Sequence, residues 1–189
     1  MSAGAQSADP EGPHPLAQRL AAQHRAGDRV LVVGPGRGRS LGVLEAAGLR
    51  VETATAGDEQ LLEHRGPYGA ILSTHALLHG TRVAVARRCA LLLRRIATGG
   101  RLYATFGSKR DPRYGAGTEV SGGGWAPTDG DEAGVAHAYF DRATLLRALA
   151  GFHVLSIEER DVGDIAGRWA HPSRGAPPAI HWFVEALKP

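Results

Sequence analysis

With 189 residues, 43% of them hydrophobic and 22% charged, the chain can bury a core as one domain, which excludes a disordered or fibrous protein. The formal net charge is +3, and of the 22 basic residues only Lys109 and Lys188 are lysines. The arginines are scattered among acids with no stripe of interleaved aromatics, so the basic balance does not point to nucleic acid.

Residues 1–13 are rich in Ser, Gly, Ala and Pro and are expected to form a loose tail. They carry Asp9 and Glu11 and no apolar stretch, so they do not read as a secretory signal. Residues 14–189 read as a single domain. Leu16, Leu20 and Ala21 share a helical face, which predicts a helix over 15–25. Residues 29–33 are a short apolar run stopped by glycine, the pattern of a fully buried strand. A helix over 39–47 ends at Gly48, and a second strand covers 50–54. Residues 58–64 suit a short helix and 69–73 a third buried strand. A long amphipathic helix over 82–97 closes at Gly99-Gly100 and leads into a fourth strand over 101–106.

Cys89 is the single cysteine and lies within that long helix beside Ala90, Leu91 and Leu92, as a buried thiol would. It permits no intrachain disulfide, which fits a reducing, cytoplasmic setting. Residues 107–136 are rich in Gly, Asp and Pro without apolar periodicity, and read as a long loop, functional or disordered. Asp141 is placed to cap a helix running to Ala150, and 154–157 and 180–187 read as two late strands. No run approaches the roughly 18 apolar residues of a membrane span.

Strands alternating with helices predict a doubly wound, mostly parallel α/β sheet covered on both faces. Ligands of such sheets bind beyond the carboxyl ends of the strands, at the topological switch point. That rule selects residues 34–38, 55–58, 74–79 and 107 onward. Val30-Leu31-Val32-Val33 runs directly into Gly34-Pro35-Gly36-Arg37-Gly38. Glycines there allow positive φ and let a ligand approach the backbone, and the turn opens a helix whose free amides face the pocket. A dinucleotide fingerprint would place its third glycine at Arg39, and a P-loop would close on Gly-Lys-Ser/Thr; neither is present.

The segment resembles motif I of the class I S-adenosylmethionine-dependent methyltransferases. The resemblance continues through Gly48–Thr55, Tyr68–His75, Gly99–Leu102, His137–Asp141 and His181–Ala186, in the order and spacing of small bacterial members. It implies a Rossmann-like methyltransferase fold whose last strand is antiparallel, S-adenosyl-L-methionine as cofactor, and a small-molecule methyl acceptor. The cofactor residues it implies are Gly34, Pro35, Gly36, Gly38, Thr55, Asp58 and Thr74.

The chain departs from the family pattern in four places. Val32 stands where the family carries an acid before the first motif glycine. Thr55 stands where an acid grips both ribose hydroxyls, and Gly69 where an Asp is common. A carboxylate-to-diol contact of that kind is worth about 1.5–3 kcal/mol. Asp58 is the nearest replacement. Glu52 lies three positions upstream in the strand, about 10 Å away. Finally, residues 56–67 are too few for the helix and third strand that the family fits there, so an edge strand is expected to be missing.

Methyl transfer from a sulfonium needs alignment and exclusion of water, with a base only where the acceptor must lose a proton. His75, at the end of a central strand, is the expected base or orienting group. His79, Trp125, His137 and Tyr139 are the expected acceptor-side residues, with Trp125 to Phe140 forming a lid. His75 and His79 are spaced i, i+4, but Ala76 stands where a metalloprotease has its glutamate and no third ligand is evident, so no metal is expected. Asp129, Asp131 and Glu132 read as a solvated acidic loop or, second, as a site for a basic acceptor. The missing acids also support a second reading, a methyltransferase fold that binds or scaffolds without catalysis. The oligomeric state is not legible.

Overall fold

The computed structural model describes residues 12–55, 57–162 and 179–189, with the side chains of residues 58–60 outside the description. The first eleven residues, most of the expected tail, lie outside the described residues. Helix α1 (Pro15–Gln23) opens with proline at its first position, and the His14 side chain accepts the Leu16 N–H at 3.1 Å. Strand β1 (Arg29–Val33) leads through the glycine turn to α2 (Leu41–Ala46), which is shorter than expected and begins two residues later. Strand β2 (Arg50–Ala54), α3 (Asp58–Glu63) and β3 (Tyr68–Ser73) follow. A single 3-10 turn at Ala76–Leu78 joins β3 to α4 (Arg82–Arg95).

Strand β4 (Ile96–Ser108) starts without a loop, five residues earlier than the sequence predicts. Ile96 pairs with Tyr68 and then Arg101 with Ala70, so the Gly99-Gly100 stretch bulges out of the ladder. Gly99 takes φ +76°, and a side chain at Gly100 would press on Ile96 and Ala97. The long loop is not structureless. It holds a small hairpin, β5 (Thr118–Val120) and β6 (Gly124–Ala126), and then a two-residue strand β7 (Tyr139–Phe140) beside β4. Asp141 caps α5 (Arg142–Ala148) by accepting the Thr144 N–H at 2.8 Å, and β8 (His153–Asp161) and β9 (Ile180–Leu187) complete the chain.

The main sheet runs β2-β1-β3-β4-β9-β8, with β7 attached to β4. Strands β1 to β4 are parallel and β9 is antiparallel to both its neighbours. Residues between Thr55 and Tyr68 contribute only α3, so β2 is an edge strand and the family's outer strand is absent among the described residues. Side chains alternate across the sheet. Leu31, Val33, Ile71 and Leu102 face a cluster with Leu61, Val85, Cys89, Leu92 and Leu145 of α3, α4 and α5. Val30, Val32, Leu72 and Tyr103 face Leu16, Leu20 and Leu44 of α1 and α2. Burial pushes the Cys89 thiol up to about 12, so it stays protonated and inert. Among the described residues no helix is long and apolar enough to cross a membrane.

Candidate functional site

The chain order reverses at β1, where β2 lies on one side and β3 on the other. The glycine turn therefore sits at the switch point of the sheet. Gly34, Gly36 and Gly38 take φ of +70°, +55° and +79°, a conformation L side chains rarely adopt. Each has a separate reason. The Gly34 N–H donates to Ala54 O at 2.7 Å, and a Cβ at Gly34 would collide with the Ala76 methyl of the 3-10 turn. Gly38 closes the turn onto Pro35 O at 2.9 Å and packs against Leu41. At Gly36 a Cβ would meet nothing within 4 Å, so the crest of the turn faces open space.

Around this turn, packing accounts for one of the replaced acids of the family pattern. Val32 is 4% exposed and belongs to the apolar cluster under α1 and α2, where a carboxylate would be stranded. Thr55 is exposed at the end of β2, one residue beyond the carbonyl that holds Gly34. Glu52 is committed elsewhere: Arg29 donates to it at 2.6 Å and the Tyr68 hydroxyl at 2.7 Å. The Arg29 guanidinium, then Tyr68, hold its carboxyl below the usual range. The Asp58 side chain lies outside the described residues. The Thr74 carbonyl accepts the buried Thr105 hydroxyl, tying the end of β3 to β4.

His75 follows Thr74 and faces two histidines that sequence reasoning did not select. Its ring lies 6.3 Å from His14 and 5.8 Å from His181, both edge-on. His14 also stacks on Phe183 at 5.2 Å. Burial, assisted by the neighbouring His75, Arg39 and Arg160, pushes the His14 imidazole down to about 3. It is therefore neutral at physiological pH, as its acceptance of the Leu16 N–H requires. No local pattern marks His14, which precedes a helix, or His181, which faces Gly107 across the β4–β9 ladder. Only the topology brings these rings together.

His79 turns away from His75 and joins the lid. Residues 135–138 form an extended ribbon between the 3-10 turn and the hairpin. Gly80 N–H donates to Ala136 O at 2.6 Å and Ala138 N–H to Leu78 O at 2.8 Å, while Trp125 and His137 exchange both backbone bonds at 3.0 and 2.8 Å. His79 and His137 are thereby directly opposed, with ring centroids 5.0 Å apart. Glu132 is not part of a solvated acidic loop, as it reaches His79 Nε2 at 3.3 Å and His137 Nε2 at 3.2 Å. Trp125 and Tyr139 are brought together by Tyr114, another residue the sequence reading missed, with ring centroids 6.1 and 5.8 Å from them. Burial, then the charge on Asp111, pushes the Tyr139 hydroxyl up to about 12, so it can donate but is no base. A shallow cleft lined by Arg65, Pro67, Arg95 and Lys188 lies at the other end of the sheet, by the starts of β3 and β4, remote from these groups.

No family model and no curated protein matches the sequence. Solved structures do match. A S-adenosylmethionine-dependent methyltransferase from Methanosarcina mazei is 14% identical, with 94% of this chain and 98% of that chain covered, at a TM-score of 0.63. The 1,6-didemethyltoxoflavin-N1-methyltransferase of Burkholderia thailandensis, solved with bound 1,6-didemethyltoxoflavin and S-adenosylhomocysteine, is 18% identical over 93% of this chain and 77% of that chain, at a TM-score of 0.64. The [4+2]-cyclase SpnF is 20% identical over 91% and 80%, at 0.61. The chain has the fold of the class I S-adenosylmethionine-dependent methyltransferases.

Proposed function

We propose that the protein is a S-adenosylmethionine-dependent methyltransferase acting on a small molecule. The observation that carries this reading is the glycine turn at the switch point, left-handed at three alternate positions and open above Gly36. A side chain at Gly36 would fill that opening, whereas a cofactor lying along the backbone needs it clear. Gly34, Pro35, Gly36 and Gly38 would bind the cofactor's amino-acid end, and Thr55, Asp58 and Thr74 its nucleoside. When bound, the cofactor supplies an electrophilic methyl group on a sulfonium. His75 would orient the acceptor and take its proton where one must leave. Trp125 and Tyr139 would wall the acceptor side, with His79 and His137 holding that wall closed. The solved methyltransferase structures of the same fold, one of them with S-adenosylhomocysteine bound, support this reading.

Calorimetric titration with S-adenosylmethionine and, separately, S-adenosylhomocysteine tests it. Micromolar binding that is lost in Gly36→Val is the expected result; no binding up to millimolar would refute it. The absence of acids at Val32, Thr55 and Gly69 favours a second reading, a catalytically silent binding or scaffold protein. That reading expects no thermal shift with cofactor and a stoichiometric protein partner instead. The cyclase among the structural neighbours is a reminder that this fold also carries chemistry other than methyl transfer.

A further inference from the structure

We propose that His79, Glu132 and His137 bind one divalent first-row transition-metal ion of the Zn2+ type, which clamps the lid to the turn after β3. Each residue offers a ligand atom, and the three atoms all lie within 4.8 Å of one another. Glu132 meets the two rings with different oxygens, Oε1 to His79 Nε2 at 3.3 Å and Oε2 to His137 Nε2 at 3.2 Å, each close to the ligand–ligand edge of about 3.3 Å set by metal bonds near 2.0–2.1 Å, so the carboxylate spans the space between the rings as a chelating ligand would. The backbone supplies the preorganisation. The bonds from Gly80 to Ala136 and from Ala138 to Leu78 bracket the 79–137 pair, making it a non-hydrogen-bonded antiparallel pair, the register in which opposed side chains approach most closely. Pairing of His137 with Trp125 fixes the same ribbon from its other side.

Valence at His137 points the same way. Its Nδ1 lies 2.8 Å from Val135 O, and a carbonyl can only accept, so Nδ1 carries the hydrogen. In the neutral ring Nε2 is then a lone pair, yet it faces a Glu132 oxygen at 3.2 Å. Two acceptors at that distance need a cation between them or a second proton on the ring. A backbone carbonyl orienting the far nitrogen is also the usual support of a metal-bound histidine. His79 and Glu132 are 42% and 31% exposed, which leaves the fourth position of the ion open to water or to a donor atom of a ligand. The i, i+4 spacing of His75 and His79 is thus misleading: the partner of His79 is 58 residues along the chain, and His75 turns to other rings. Two imidazoles and one carboxylate suit Zn2+, Co2+ or Fe2+ over Mg2+ or Ca2+.

The test uses the untagged full chain, stripped with a chelator and titrated separately with Zn2+ and Co2+. One saturable equivalent is expected, with visible Co2+ bands of a low-coordinate site and a rise in the thermal midpoint on adding Zn2+. His79→Ala and Glu132→Gln, both at partly exposed positions, should keep the wild-type circular dichroism and each weaken the metal by more than the roughly 10–100-fold that loss of a hydrogen-bond partner of a ligand costs. Absence of a saturable equivalent at about tenfold molar excess would overturn the proposal and leave a protonated histidine–carboxylate pair. Binding of equal strength in both variants would overturn it too, by moving the ion to other histidines. No cofactor enters these readouts, so they stand or fall apart from methyl transfer.

Discussion

Placing a carboxylate at the end of β2 is the most direct probe of the proposed cofactor site. Thr55 is exposed, so Thr55→Asp should change stability by no more than about 0.5 kcal/mol. The residue follows Ala54, whose carbonyl holds the Gly34 amide at 2.7 Å, so the new acid arrives beside the glycine turn. A hydrogen bond from a neutral donor to a charged acceptor is worth about 1.5–3 kcal/mol. At 1.4 kcal/mol per decade, a ribose diol bound there should tighten S-adenosylhomocysteine by roughly 10- to 150-fold. Calorimetry on wild type and variant reads the change directly. Thr55→Asn controls for size, since it can hydrogen-bond but brings no charge, and should recover only part of the gain. A folded Thr55→Asp variant with unchanged affinity would refute the reasoning, because the nucleoside would then lie away from the end of β2.

Other predictions separate binding from folding. Gly36→Val should remove cofactor binding while costing about 1–2 kcal/mol of stability, from its positive φ alone, in urea unfolding. Gly34→Ala should cost more, because the new methyl also meets Ala76, and Ala76→Gly should restore part of the loss; absence of any rescue would show that the contact is not the cause. His14 gives a pH signature. Burial holds its folded-state value down at about 3, below the ordinary 6.5 of a free imidazole, so the unfolded chain takes up a proton that the folded chain refuses. Stability is therefore full above about pH 6.5 and falls on acidification, by up to about 1.4 kcal/mol per pH unit. His14→Gln should flatten the slope between about pH 6.5 and 5, above the range where carboxylates titrate; an unchanged slope would assign it to another group.

Elements whose cause is local were legible in the sequence. Strands β1, β2 and β9 match their predicted limits because each is an apolar or alternating run with a clear stop. The Asp141 cap fixes the start of α5, and the shortness of residues 56–67 marks the missing strand. Elements set by partners were not legible. Strand β8 extends past Ile157 through Glu158, Glu159, Arg160 and Asp161, which carry no apolar signal and are extended because β9 pairs with them. The β5 and β6 strands are three residues each, too short to show a period, and join Thr118, Glu119 and Val120 to Gly124, Trp125 and Ala126 around a turn at Gly122 and Gly123. The candidate site divides in the same way. The glycine turn declares itself in sequence, whereas His14 and His181 meet His75 only across the sheet, and Glu132 reaches His79 only because the lid ribbon folds back.

The shortened sheet has a consequence for how copies of this chain meet one another in a crowded solution. Losing its outer strand leaves β2 with one row of backbone amides and carbonyls unpaired by the described sheet, a template onto which a foreign strand could add. The five residues of β2 blunt that risk. Arg50 is exposed and charged at the rim, while the Arg29 and Tyr68 contacts from β1 and β3 draw Glu52 inward over the face of the sheet, so a strand added at the edge would still meet a fixed charge on that face. At the far side, β8 ends in four consecutive charged residues. Both margins of the sheet are thus poor sites for intermolecular β-aggregation, and the domain can shed a strand without becoming adhesive.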